Sequence, residues 1–234
     1  MLANEYRDRL VAAALPHVTF DGWSETSFRM ACADAGISIE QARAFFPRGA
    51  ADLAIAWHRS DDEEMARRLK DEDLSSLRFR DRIARAILLR LEGVDREAMR
   101  RSLTLFALPH HAGDGARAIW ATADTIWTAL GDRSDDFNWY SKRTSLSAVY
   151  GTTTLIWLGD NDEGLAETRA FLDRRINGVM RFEKLKKIAT SGPQGWLMRK
   201  SPLGRIAQRI QPPAWRGDLP GSFGRRDADK GPAA

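Results

Sequence analysis

The chain has 234 residues, 43% of them hydrophobic and 29% charged, with a net charge of +4. This is the composition of an ordinary soluble globular protein, with length for one large domain or a small one fused to a larger. The lone Cys32 excludes an internal disulfide and fits a reducing compartment, and no run of about 18 apolar residues is present to span a membrane. The opening "MLANEYRDRLVAAALPHV" lacks the layout of a signal peptide, and its acids argue against a transit peptide. A cytoplasm is therefore expected.

Helical punctuation dominates and strand punctuation is nearly absent. Residues 4–15 place Tyr6, Leu10, Val11 and Ala14 on one face. "FDGWSETSF" is a turn feeding a helix at Ser24, and Pro47 closes a later short helix. Residues 50–70 continue as a helix with Leu53, Ile55, Ala56, Trp57 and Met65. "LRFRDRIARAILLRLEG" (77–93) is strongly periodic and ends at Gly93. "REAMRRSLTLFAL", "AGDGARAIWATADTIWTALGD", the segment from Ser134 to Trp157 and "LAETRAFLDRRINGVMRFEKLKKI" follow, joined by short Gly-, Pro- or Asp-bearing linkers. The fold class is all-α, with about nine or ten helices. From Pro212 onward the chain has too many Pro and Gly residues to order well.

"FRMACADAGISIEQARAFFP" (28–47) has the layout of a helix-turn-helix. Cys32 fills a small buried slot, Gly36 makes the turn, Ile37 plugs the space between helices, and Phe45-Phe46 end the second helix. With helices before and after, this region resembles the N-terminal domain of TetR-type regulators. The charges oppose DNA binding. Residues 1–58 hold five Arg and seven acids, whereas DNA affinity depends on cations that neutralise phosphates. Where TetR-type proteins place a phosphate-contacting Tyr and Lys, this chain has Arg43 and Gly49. No nucleic-acid partner is expected; a TetR-type transcriptional regulator sensing an apolar ligand is the alternative reading.

In "SDDFNWYSKRTSLSAVYGTTTLIW" (134–157), Trp139, Arg143, Leu146, Tyr150, Thr153 and Trp157 share one helical stripe. Ser141, Thr144 or Ser145, Ala148 and Gly151 or Thr152 give a second face of small side chains, which suits close helix approach and a homodimer. Tyr150 and Trp157 read as core. Trp139 and Tyr140, ringed by Asp136, Asn138, Lys142 and Arg143, fit either core or a protein–protein hot spot.

These residues carry a more specific resemblance. "ALPHVTFDGW" (14–23), "ARAFFPRGAADLAIAWH" (42–58), "DFNWYSKRTSLSAVYGTT" (136–153) and "FLDRRINGVMRFEKLK" (171–186) resemble the coenzyme Q biosynthesis accessory proteins, the ninth Coq family. The resemblance covers roughly residues 5–187, and its most distinctive run is Asp136, Phe137, Trp139, Tyr140, Ser141, Lys142 and Arg143. It implies a TetR-like fold that binds isoprenoid lipid and presents quinone precursors to the di-iron demethoxyubiquinone hydroxylase. It implies too that Trp139, Tyr140, Lys142 and Arg143 form the surface that docks this enzyme.

A lipid pocket needs an apolar lining. Ile119, Trp120, Ala123, Ile126, Trp127 and Leu130 form a continuous stripe, opposed by Leu155 and Trp157; open, it lines a cavity for an isoprenoid quinone, a quinone precursor or a phospholipid, and packed solid it is core. Charge is uneven along the chain. Residues 1–180 hold 24 bases and 28 acids, whereas residues 181–216 hold nine bases and one acid, Glu183. Ser201-Pro202 is an N-cap followed by Pro at the first helical position. The helix it opens sets Leu203, Ile206 and Ile210 on one face, with Arg205 and Arg209 beside them; Trp196, Leu197, Met198, Arg199 and Lys200 lie just before. Apolar anchors beside bases suit an anionic bilayer surface, as in the family's C-terminal amphipathic helix.

His17, His58, His110 and His111 lack metal-ligand spacing, and no Gly-rich phosphate loop, G-x-S-x-G or plausible Cys nucleophile occurs. Asp61-Asp62 and Glu63-Glu64 read as solvated helix faces. The chain is thus expected to be non-catalytic, with no metal and no cofactor beyond bound lipid, peripheral on the inner face of a bacterial cytoplasmic membrane. The expected organisation is a helix-turn-helix-like domain over 1–60, a helical lipid-binding and dimerisation domain over 61–190, a membrane-binding helix over 196–211 and a tail over 212–234.

Overall fold

The computed structural model describes residues 3–132 and 137–191, and among them all regular structure is helical. The membrane-binding candidates between Trp196 and Ile210, and the tail after them, lie outside the described residues.

The first helix, α1 (Ala3–Asp21), contains Pro16 and runs past the expected end at residue 15. An interior proline costs a hydrogen bond and strains the preceding turn. Here Val18, wholly buried with Leu10 and Ala14, continues the apolar face beyond the proline and offsets that cost. In α2 (Glu25–Ala35), Ser24 and Ser27 form a reciprocal capping box, which satisfies two otherwise orphaned N–H groups. Gly36 closes the helix in the left-handed region at φ 61°. The Gly36 N–H reaches the Ala33 carbonyl at 3.0 Å and the Ile37 N–H the Cys32 carbonyl at 2.9 Å, a Schellman closure. The short α3 (Ile39–Phe45) has its own box from Ser38 and Gln41. The helix-turn-helix expected at 28–47 is present, with Ile37 buried as the plug and Cys32 buried as a packed thiol. Burial raises the Cys32 pKa, with the Glu25 charge adding to it.

Six longer helices follow: α4 (Ala50–Asp71), α5 (Phe79–Leu91), α6 (Arg96–Phe106), α7 (Ala112–Ala129), α8 (Phe137–Gly159) and α9 (Ala166–Ser191). Helix α1 packs on α2, α4 and α6; α4 packs on α5 and α7; α8 lies between α7 and α9. Trp23, in the α1–α2 turn, donates its indole N–H to the Ala98 carbonyl of α6 at 3.2 Å. One cluster of buried apolar side chains runs from Leu10 to Ile176, so the helix-turn-helix shares its core with the larger helical body. The boundary expected at 60/61 falls inside α4. Between α6 and α7, a Cβ at Gly115 would sit 2.7 Å from Phe106 Cβ; only glycine permits that approach.

Candidate functional site

Helix α8 organises the candidate site. Its stripe of Trp139, Arg143, Leu146, Tyr150, Thr153 and Trp157 faces inward along its whole length. Near the start of α8, the wholly buried Arg143 guanidinium meets Asp124 Oδ1 at 2.6 Å and Asp132 Oδ2 at 3.1 Å. Lys142 Nζ shares Asp132 at 2.8 Å. The two cations thus fasten the start of α8 to the end of α7.

The same region holds an aromatic cluster. Trp139 and Tyr140 pack edge to face with centroids 4.8 Å apart, and Trp120 of α7 lies 6.0 Å from Trp139 and 6.4 Å from Tyr140. Arg143 stacks 4.0 Å over the Trp139 ring. Trp139 is only 5% exposed, while Trp120 and Tyr140 are half-buried. The sequence treats the Trp-Tyr pair as one unit; the fold separates it into an inner ring and an outer ring. Trp139 is drawn inward because it fills the space between Trp120 and the Arg143 guanidinium.

Further along α8 a cavity of about 330 Å³ opens between this helix, α6 and α7. Its apolar walls are Met99, Leu103, Ile119, Ala148, Gly151 and Leu155. Polar groups come from His58 of α4 and from Ser147, Tyr150, Thr152 and Thr154 of α8. Of the lining predicted from sequence, Ile119 and Leu155 face the cavity, and Leu155 is 60% exposed at its rim. The others do not. Ala123, Ile126 and Trp127 are buried in the packed core, with Trp127 against Phe79 at 5.5 Å. Leu130 packs against that core, Trp120 joins the aromatic cluster, and Trp157 is buried beneath Arg96 at 4.9 Å. The stripe on α7 is core because α4 and α8 both close upon it.

Behind the cavity lies an ionic centre that the sequence reading missed. Arg90 of α5 is wholly buried; its Nε reaches Asp62 Oδ1 at 2.6 Å and its Nη2 lies 2.9 Å from His58 Nδ1 and 3.2 Å from the His58 carbonyl. Thr122 of α7 donates to both Asp62 oxygens, at 2.9 and 3.1 Å. Arg90 Cζ stands 6.0 Å from the Tyr150 ring. Asp61-Asp62 is therefore no solvated face: Asp62 is buried, and Asp61 is three-quarters covered. Burial pushes the Asp62 carboxyl up against the pull of Arg90, and pushes Asp61 up to about 6. Burial and the neighbouring Arg90 charge hold His58 well below the usual imidazole range, so it is neutral. Its Nδ1 faces an arginine N–H and must accept, which places the ring proton on Nε2. The sequence signal was the His58–Asp62 spacing of four on an otherwise apolar face, together with Arg90 inside an apolar run.

In the helix-turn-helix, Arg43 is clamped by both Glu25 oxygens at 2.7 and 2.8 Å, and Arg29 shares Glu25 at 3.0 Å. Arg48 bridges Asp52 and Asp114 at 2.7 Å each, tying the turn before α4 to α7. Among the described residues no group of three or more His, Cys, Asp or Glu is placed to hold a metal ion, and no helix is long and apolar enough to cross a membrane.

The helix order and the capped helix-turn-helix define an all-α protein of the TetR-like fold. A TetR transcriptional regulator from Nitrosomonas europaea matches it with a TM-score of 0.59 over 74% of this chain and 96% of that one, at 21% identity. Residues 112–183, which span α7, α8 and the start of α9, match the family model described as COQ9. The human mitochondrial ubiquinone biosynthesis protein COQ9 is 27% identical over 198 residues, covering 80% of this chain and 62% of that protein. The probable mitochondrial coq9 of Dictyostelium discoideum is 26% identical over 190 residues, covering 78% and 62%. The chain is thus similar to the COQ9 proteins, and it spans about 62% of the length of these two.

These relatives correct the expected localisation. The human, Dictyostelium and Bos taurus proteins are all named mitochondrial, so the assignment to a bacterial cytoplasm and its membrane does not stand. A single cysteine excludes an internal disulfide and names no compartment. The opening residues carry no weight in a chain that spans part of its relatives.

Proposed function

We propose that this chain is a non-catalytic accessory protein of ubiquinone biosynthesis that holds a polyprenylated quinone precursor and presents it to the di-iron demethoxyubiquinone hydroxylase. The observation that carries this reading is the apolar cavity against α8, whose lining from Ile119 to Leu155 falls in the segment that matches the COQ9 family model. Its volume of about 330 Å³ lies at the low end of the roughly 300–1,000 Å³ typical of ligand sites. A ring and one or two prenyl units suit it; the rest of a long tail must lie outside. Residues 196–211, with their apolar anchors and bases, would supply a membrane-facing seat for that tail.

Trp120 and Tyr140 supply the half-exposed aromatic area on which the hydroxylase would dock, with Trp139, Lys142 and Arg143 holding the patch from beneath. A second copy of the chain would have to pair away from Ala148 and Gly151, which line the cavity. The regulator reading is the weaker one, because Arg29, Arg43 and Arg48 are committed to carboxylates and a shared fold does not carry function. Docking is tested by measuring hydroxylase binding and turnover with Tyr140→Ala. The expected result is a loss of binding of ten-fold or more, the size of an interface hot spot (about 1.4 kcal/mol or more), with a melting temperature within about 6 °C of the parent's. Unchanged binding would remove the patch from the interface.

A further inference from the structure

Two hydroxyls of α8 stand out at the cavity. The Tyr150 side chain is 1% exposed, and its phenol oxygen, like the buried hydroxyl of Ser147, makes no well-formed hydrogen bond among the described residues; the nearby Thr154 hydroxyl pulls the phenol pKa down only weakly against the upward push of burial. Thr154, beside Tyr150 in the helix, gives its proton to the Tyr150 backbone carbonyl at 3.0 Å. Both orphan hydroxyls belong to residues that line the cavity, as does His58. Buried polar groups left unpaired are uncommon, and each calls for a cause. His58 cannot relieve them from its Nδ1, which Arg90 occupies at 2.9 Å; its remaining ring nitrogen is a donor. The polar end of the cavity thus offers several donors; Thr152 and Thr154, which line it too, give their protons to backbone carbonyls of α8, and the other walls include Met99, Leu103, Ile119 and Leu155.

We propose that this end is a seat for a ligand's carbonyl oxygen: the Tyr150 phenol donates to it, Ser147 and His58 flank it, and the ligand's apolar body leaves past Leu155. The inference rests on the reading of the cavity as a lipid site and adds an orientation, polar head inward. A quinone ring and an acyl ester both carry such an oxygen. The ionic centre behind the seat gives it rigidity, since Arg90, Asp62 and Thr122 interlock across α5, α4 and α7.

The test titrates three probes into the full chain by calorimetry: a 1,4-benzoquinone with one prenyl unit, methyl decanoate, and decane. Tyr150→Phe should weaken the quinone about three- to ten-fold, the range of one neutral hydrogen bond, and leave decane unchanged. A loss confined to methyl decanoate would keep the seat and assign it to an acyl lipid. Tyr150→Phe should also raise the melting temperature of the empty protein by about 2–4 °C, because it deletes an unpaired polar group; a lower value would count against the proposal. Ala148→Trp, which fills the cavity from its rim, should abolish binding of all three probes. If Ala148→Trp abolishes binding and Tyr150→Phe binds both oxygenated probes as the parent does, the seat is refuted and the lipid site stands. If the parent chain binds no probe, both readings fall.

Discussion

Replacing Trp139 by Ala removes a ring that packs against Trp120 and Tyr140 and carries the Arg143 guanidinium on its face. A loss of about 3–5 kcal/mol is expected, as for other large buried aromatics. Tyr140→Ala, half-exposed, should cost under about 1.5 kcal/mol. Urea denaturation of the two variants checks the ordering; equal losses would contradict the inner and outer assignment. Asp61 gives a second test at this scale. Its carboxyl is raised from 3.8 to about 6 by burial, so the folded chain takes up this proton before the unfolded chain does. Its contribution is therefore fully present below about pH 4 and is lost as pH rises through 6. Relative to the parent, Asp61→Asn should lose about 1.4 kcal/mol per pH unit on acidification from 6 to 4. Parallel stability curves for the two proteins over that range would contradict the raised carboxyl. Little of this was legible in the sequence, because whether an aspartate pairs inward depends on which helix meets it. Arg90 lies 28 residues from Asp62 and reaches it only after α4 and α5 pack.

Elements were more legible than residues. Ser24, Gly36 and Gly93 punctuate the chain by local backbone rules that act before any packing, and the helices around them fall where those signals place them. Helix α1 exceeds its expected end because tertiary burial of Val18 overrides the local signal of Pro16. Periodicity identified the inward stripe of α8 and left that of α7 open between core and cavity wall, of which only Ile119 lines the cavity described here. A stripe shows that a face is buried, and only the neighbouring helices decide between solid core and cavity wall. Gly115 tests the α6–α7 contact directly. Gly115→Ala places a methyl against the Phe106 Cβ, and the shift this forces should cost about 1–3 kcal/mol despite alanine's better helix propensity. A variant more stable than the parent, read by thermal denaturation, would show that the helices can separate without penalty.

At the scale of the molecule, the charges and the cavity point the same way. The cations of the helix-turn-helix are spent on Glu25, Asp52 and Asp114, and the remaining positive excess lies beyond residue 180. The helical frame is shared with a TetR transcriptional regulator, while the features that could engage a ligand lie around α8. The most direct measurement of the central claim is mass spectrometry of the organic extract of the purified full chain. The account predicts an isoprenoid quinone or quinone precursor at up to one molecule per chain, lost in Ala148→Trp. An extract without isoprenoids, from a chain that binds duplex DNA tightly at moderate salt, would contradict it.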